Sequence, residues 1–155
     1  MISPEVLRRY PFFCCLNEEQ IKKVAMIADE ISIREGEIIF KEGQPADSLF
    51  LLVSGSIELF YEVVDDDNHE ERRIFSVGNI NAGEPFGLSS VVENPDLTAT
   101  AKMRKAGKAI KIDAAKLCAL CEGDPKMGYD LMRQIARATM KRLELTRIHL
   151  AAARG

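Results

Sequence analysis

Between Ile31 and Ile112 the apolar residues come in short runs with no sustained helical stripe. Ile31/Ile33, Ile38/Phe40, Leu49 to Val53, Ile57 to Val63, Ile74 to Val77, Thr98 to Met103 and Ala109 to Ile112 each read as a strand. Gly36, Gly43, Gly55, Gly78, Gly83 and Gly107 punctuate them. Ser54-Gly55, between two apolar runs, is a tight hairpin signal. Many short strands with glycine turns predict a barrel or sandwich, in which closure or layering protects the edges.

Helical patterning flanks this region on both sides. A first short helix is expected from about Ser3 to Tyr10, with Pro4 suited to its first turn and Pro11 stopping it. Asn17 is a good N-cap for a second helix, and Gln20 completes a capping-box pattern. Ile21, Val24, Ala25 and Ala28 supply its apolar face. Asp113 caps a third helix that ends near Gly123. Asp124-Pro125 then opens a long final helix running to about Ala152. The expected organisation is a single domain over 1–155: N-terminal helices over 1–30, the β region over 31–112 and C-terminal helices over 113–155.

The last helix carries a stripe of Met132, Ala136, Thr139, Leu143, Thr146, Leu150 and Ala153. Its steps alternate four and three, a heptad seam suited to pairing with a second copy. A homodimer through this helix is therefore expected. Residues 126–155 hold seven Lys/Arg against two Asp/Glu. These basic residues read as the solvated face.

Composition narrows the function. A chain of 155 residues with 46% hydrophobic and 29% charged residues can bury a core and is ordinary for a globular protein. A net charge of −3 argues against a general nucleic-acid binder. No apolar run reaches the length of a membrane span and the N-terminus lacks a signal-peptide layout, so a cytoplasmic location is expected. Cys14, Cys15, Cys118 and Cys121 are expected to be reduced and to serve as small buried hydrophobes. Cys118 and Cys121 have CxxC spacing but lie in an apolar helical pattern, and adjacent cysteines suit tetrahedral zinc poorly. No metal is expected. DDDNHEE (65–71) reads as a solvated hairpin loop without EF-hand spacing. No nucleophile has a nearby base, so no enzyme is expected. Neither His69 nor His149 stands where a haem would need its axial ligand.

Two segments carry a family resemblance. GEIIFKEGQPADSLFLLVSGSIELF (36–60) resembles the front half of the cyclic-nucleotide-binding domain, the β-barrel of catabolite activator protein and protein kinase A regulatory subunits. GEPFGLSSVVENPDLTAT (83–100) is similar to that family's phosphate-binding cassette. The resemblance implies a mainly β fold, a β-barrel or jelly roll (double-stranded β-helix), with N-terminal helices and a long C-terminal helix. It places ligand contacts at Phe86, Gly87, Leu88, Ser89, Ser90, Leu97, Thr98, Ala99 and Thr100. In relatives the final helix pairs with its partner's copy and its middle touches the nucleotide base. By that analogy Thr139 and Leu143 lie nearest the ligand.

The cassette departs from the family at its two charged positions. Leu88 stands where a glutamate accepts from the ribose hydroxyl, and Leu97 where an arginine holds the cyclic phosphate. Backbone amides at the start of a short helix survive any side-chain change. A hydrogen bond to a charged group contributes roughly 1.5–3 kcal/mol, so losing two removes about 3–6 kcal/mol. That is about two to four decades of affinity. Arg72, Arg73, Lys102 and Arg104 are the candidates for a substitute cation, although each reads first as a surface residue.

Three readings follow. The first is a non-catalytic regulatory sensor with weak or altered nucleotide specificity. The ligand classes it leaves open are a cyclic nucleotide or another small anionic ligand. The second is a ligand-free dimerisation or protein-interaction module whose pocket Leu88 and Leu97 fill. The third is the sensor half of a transcription regulator lacking its helix-turn-helix. The chain stops at Gly155, where that element would begin, and so would not bind DNA by itself.

Overall fold

Strands β1 (Ala28–Ile33), β2 (Ile38–Phe40), β3 (Ser48–Leu52), β4 (Ser56–Val64), β5 (Arg72–Ile80), β6 (Pro85–Phe86), β7 (Thr100–Lys105) and β8 (Gly107–Asp113) alternate with glycine-containing turns. They form two four-stranded antiparallel sheets, ordered β1-β8-β3-β6 and β2-β7-β4-β5. This is the expected jelly roll, built as two facing sheets whose hydrogen bonding does not join them into one barrel. The computed structural model describes residues 1–64, 72–92 and 96–154, with residue 72 described by its backbone alone. The loop reading of DDDNHEE, with His69, falls outside the described residues.

Ser54-Gly55 is not the hairpin its composition suggests. β3 pairs with β6 and β8, whereas β4 pairs with β5 and β7, so this turn carries the chain from one sheet to the other. The β7–β8 connection does the same beside it. A Cβ at Gly107 would lie 2.0 Å from the Ser54 carbonyl oxygen, and one at Gly55 (φ +94°) 2.5 Å from that of Lys105. The two crossing turns touch backbone to backbone, an approach that glycine alone allows.

The helices are α1 (Pro4–Arg8), α2 (Glu18–Met26), α3 (Ala114–Gly123) and α4 (Pro125–Arg154), with a 3₁₀ turn at Pro11–Phe13. α1 is shorter than expected because Pro11 starts its own turn and Arg9 already caps the helix. The capping box at Asn17 and Gln20 forms in full, and Asp113 accepts from the Lys116 amide. Ala28, expected on the face of α2, instead opens β1 paired with Ile112, and is fully buried there. Thr98 and Ala99, expected in a strand, precede β7.

Two apolar clusters hold these layers. Leu52, Ile57, Ile80, Phe86, Leu97 and Met103 fill the space between the sheets with Phe40 and Phe50. Phe50 stacks on Phe86 at 5.0 Å between ring centroids. A second cluster joins the other face of the β3 sheet to the helices through Phe13, Ile21, Val24, Leu117, Met127, Leu131 and Ile135. Only the first half of α4 takes part. At 30 residues α4 is about 45 Å long, and beyond Ile135 it has no buried apolar residue. Among the described residues no helix is long and apolar enough to cross a membrane.

Candidate functional site

The cassette begins where β6 ends. Gly87 has φ 71° and ψ 33°, the left-handed region, and caps the 3₁₀ turn Leu88–Val91. A Cβ here would lie 2.9 Å from the Ser48 carbonyl oxygen and 3.0 Å from the Phe50 ring. Phe86 and Gly87 thus occur together for a reason: the ring anchors the strand in the core and the glycine makes the only turn that clears β3. On the return path Leu97 is fixed from both sides. Its amide donates to the Gln44 carbonyl and its own carbonyl accepts from Gly43, both at 2.9 Å.

These segments wall a pocket of about 410 Å³ between the β4–β5 sheet, the cassette and α4. Phe86, Gly87, Leu88 and Ser89 line it on one side, Leu97, Thr98 and Ala99 on another, and Thr139 from α4 closes over it. Phe40, Leu59, Tyr61 and Ile80 come from the sheet. A β-bulge adds Val77: Leu59 pairs with Gly78 and Phe60 with Ser76, leaving Val77 as the extra residue, and it too lines the pocket.

Three expected contact residues stand elsewhere. Ser90 donates its hydroxyl to the Gly87 carbonyl at 2.7 Å and closes the cassette turn. Thr100 is buried, its hydroxyl accepting from the Glu42 amide at 2.9 Å. Leu143 is 51% exposed on α4, off the pocket wall. The helix turns Ile135, Thr139, Arg142 and Thr146 toward the pocket, at steps of four and three residues.

Leu88 and Leu97 sit differently. Leu97 is 6% exposed and belongs to the core between the sheets. Leu88 is half-buried and packs toward the helical cluster. Both flank the pocket without filling it.

Of the substitute cations proposed from the sequence, the three whose side chains are described stand outside the pocket wall. Arg104 pairs with Glu58, Arg73 is exposed and Lys102 is half-buried outside the wall. The side chain of Arg72 lies outside the described residues. Among the described residues the charged one in the wall is Arg142, read from the sequence as part of the solvated face. It is mostly buried, donating from Nη2 to the Asn79 carbonyl at 2.7 Å and to Glu84 Oε2 at 2.8 Å. Glu84 also faces Lys141 Nζ at 3.9 Å. The signal was available: Arg142 stands three residues after Thr139, one turn along the same face.

The cysteines are less buried than expected. Cys14 is exposed and the other three are half-buried, with burial pushing the Cys15 and Cys121 thiols up. Among the described residues no group of three or more His, Cys, Asp or Glu is placed to hold a metal ion.

The comparisons with known proteins agree with this architecture. The family model of the cyclic nucleotide-binding domain matches residues 30–124. A Geobacter metallireducens protein of known structure, named for cyclic nucleotide binding, is 37% identical with a TM-score of 0.79. The match covers 92% of this chain and 99% of that one. The CRP-like cAMP-activated global transcriptional regulator of Mycobacterium tuberculosis is 24% identical over 147 residues, 95% of this chain and 61% of the regulator. The cAMP-dependent protein kinase regulatory subunit of Emericella nidulans is 28% identical over 106 residues, 68% of this chain and 24% of the subunit. The chain thus spans a quarter to three fifths of the length of these two curated relatives. With the family model covering more than half of its residues, the chain belongs to the cyclic nucleotide-binding domain family.

Proposed function

We propose that this chain is a non-catalytic regulatory module that binds a small organic ligand in the cassette pocket, and binds cyclic AMP and cyclic GMP weakly or not at all. The observation that carries this reading is the open volume of about 410 Å³ at the cassette, within the range of small-molecule sites, with Leu88 and Leu97 in its wall. The Gly87 cap and the Leu88–Val91 turn provide a cassette backbone, while Leu88 and Leu97 stand where the resemblance implies charged contacts. A site of this kind favours a ligand with a larger apolar part than a ribose phosphate. A thermal-shift screen against cyclic mononucleotides, cyclic dinucleotides and small organic acids tests it. A ligand at a hundred times its Kd stabilises the fold by about 2.7 kcal/mol. Silence across all three classes would count against the sensor.

A second reading, a dimerisation module, draws on α4. Met132, Leu143 and Leu150 are 38%, 51% and 54% exposed along one seam, beside the exposed Ala136 and Ala153. A second copy pairing on this seam would cover them. The two readings are compatible, since α4 forms both the seam and one wall of the pocket. A cytoplasmic location and a role as the sensor half of a larger regulator fit the same picture.

A further inference from the structure

Arg142 is the one charged side chain in the pocket wall among the described residues, and its hydrogen bonding is incomplete. Nη2 is taken by Asn79 and Glu84, while Nη1 is buried without a partner among the described residues. A Cβ on Gly78 would lie 3.5 Å from Nη1 and 3.7 Å from His149 Nε2, so this nitrogen sits at the edge of the pocket, between the β5 bulge and the His149 ring, with Val77 of the bulge in the pocket wall. A buried donor without an acceptor is costly, and more so when charged. An acceptor entering from the pocket would remove that cost.

The surroundings favour an anion. Glu84 is shared between Arg142 and Lys141, so two cations meet one carboxylate. Glu84 itself is not in the pocket wall. The threonines of the α4 wall cannot take the donor role, because Thr139 and Thr146 already donate their hydroxyls to the Ile135 and Arg142 carbonyls, each at 2.8 Å. The other walls are mainly aromatic and aliphatic, with Phe40, Phe86 and Leu97, and carry the neutral hydroxyls of Tyr61, Ser89 and Thr98.

We propose that the pocket takes an organic monoanion, a carboxylate or a phosphodiester on an apolar or planar body, and that Arg142 Nη1 is the donor that holds its oxyanion. This rests on the reading of the pocket as a ligand site. One cation in the wall matches a single negative charge; a dianion would bring a second charge into a mainly apolar cavity without an opposite charge to meet it. The anchor comes from α4 and not from the cassette arginine position, which Leu97 occupies.

Two matched pairs of probes test it by calorimetry: indole-3-acetate against indole-3-acetamide, and cyclic AMP against adenosine. Within each pair the ring is kept and the charge removed. In the wild type the charged member of at least one pair should bind about tenfold to a hundredfold more tightly than the neutral one. The pair that shows the larger gap distinguishes carboxylate from phosphodiester. Arg142→Met should close the gap, weakening the anion far more than the neutral probe. Glu84→Gln removes the competing carboxylate and should widen the gap; it decides the matter if Arg142→Met does not fold. No gap in the wild type, a gap that survives Arg142→Met, or one that Glu84→Gln fails to widen would overturn the anchor, with the pocket still a ligand site. If none of the four probes binds, charged or neutral, the ligand-site reading fails and the anchor with it.

Discussion

Restoring the family's arginine at position 97 alone should destabilise the protein. Leu97 is 6% exposed and packs in the cluster between the sheets with Phe40, Phe50 and Phe86. Its backbone is tied on both sides to residues 43 and 44, so the segment cannot turn outward to rescue a new side chain. Leu97→Arg forfeits the burial of a leucine, roughly 1.5–3 kcal/mol. The guanidinium then either stays in the core without a partner or reaches along its stem into the pocket. A loss of about 2 kcal/mol corresponds to a fall in Tm of about 4–8 °C for a domain of this size. The double substitution Leu88→Glu with Leu97→Arg should recover measurable cyclic AMP binding, and by more than the sum of the two singles. Differential scanning calorimetry of the four proteins, with and without cyclic AMP, reads both effects. A Leu97→Arg protein as stable as the wild type would refute the core placement of Leu97. A folded double variant that cyclic AMP does not stabilise would mean that shape, and not missing charge, excludes the nucleotide.

Further outcomes are expected at other points of the fold. Gly87→Ala forces a left-handed backbone on alanine and puts a Cβ 2.9 Å from a carbonyl oxygen, so urea denaturation should show a loss of about 1–3 kcal/mol; an unchanged midpoint would contradict the turn geometry. Leu143→Arg should shift the light-scattering mass from dimer to monomer; a wild type already monomeric at tens of micromolar, on the order of a weak dimer's Kd, would remove the dimer from the account. Asp124 accepts from the Gln20 side chain and the Met127 amide, and these bonds hold its carboxyl below the ordinary value. Its contribution to stability is therefore present above about pH 4, the unfolded carboxyl range, and is lost as pH falls through the lower folded value. The Tm difference between wild type and Asp124→Asn should be present at pH 7 and shrink in acid; a constant gap would show that the charge plays no part.

The sequence shows the layout of this fold because turns and caps are local chemistry. The capping box of Asn17 with Gln20 and the Asp113 cap each act within a few residues, and each forms as expected. The Ser54-Gly55 turn was misjudged because glycine reports a backbone shape and not which sheet the next strand will join. Ala28 passed for a helix residue because burial is common to both elements. At the site, the pocket-lining parts of the cassette were legible through the spacing of Phe86-Gly87 and Thr98-Ala99. The position of Arg142 on the face of Thr139 was legible too, but counting basic residues on α4 discards the face that carries each one. The burial of Arg142 depends on Glu84 and Asn79, about sixty residues earlier, and no local pattern encodes that meeting.

The most direct test of the central claim is a calorimetric titration of the wild-type chain with cyclic AMP, run beside the best ligand from the metabolite screen. The account predicts that the screened ligand binds and that cyclic AMP binds in the millimolar range or not at all, since about 3–6 kcal/mol of charged contacts are missing. Micromolar binding of cyclic AMP would contradict it.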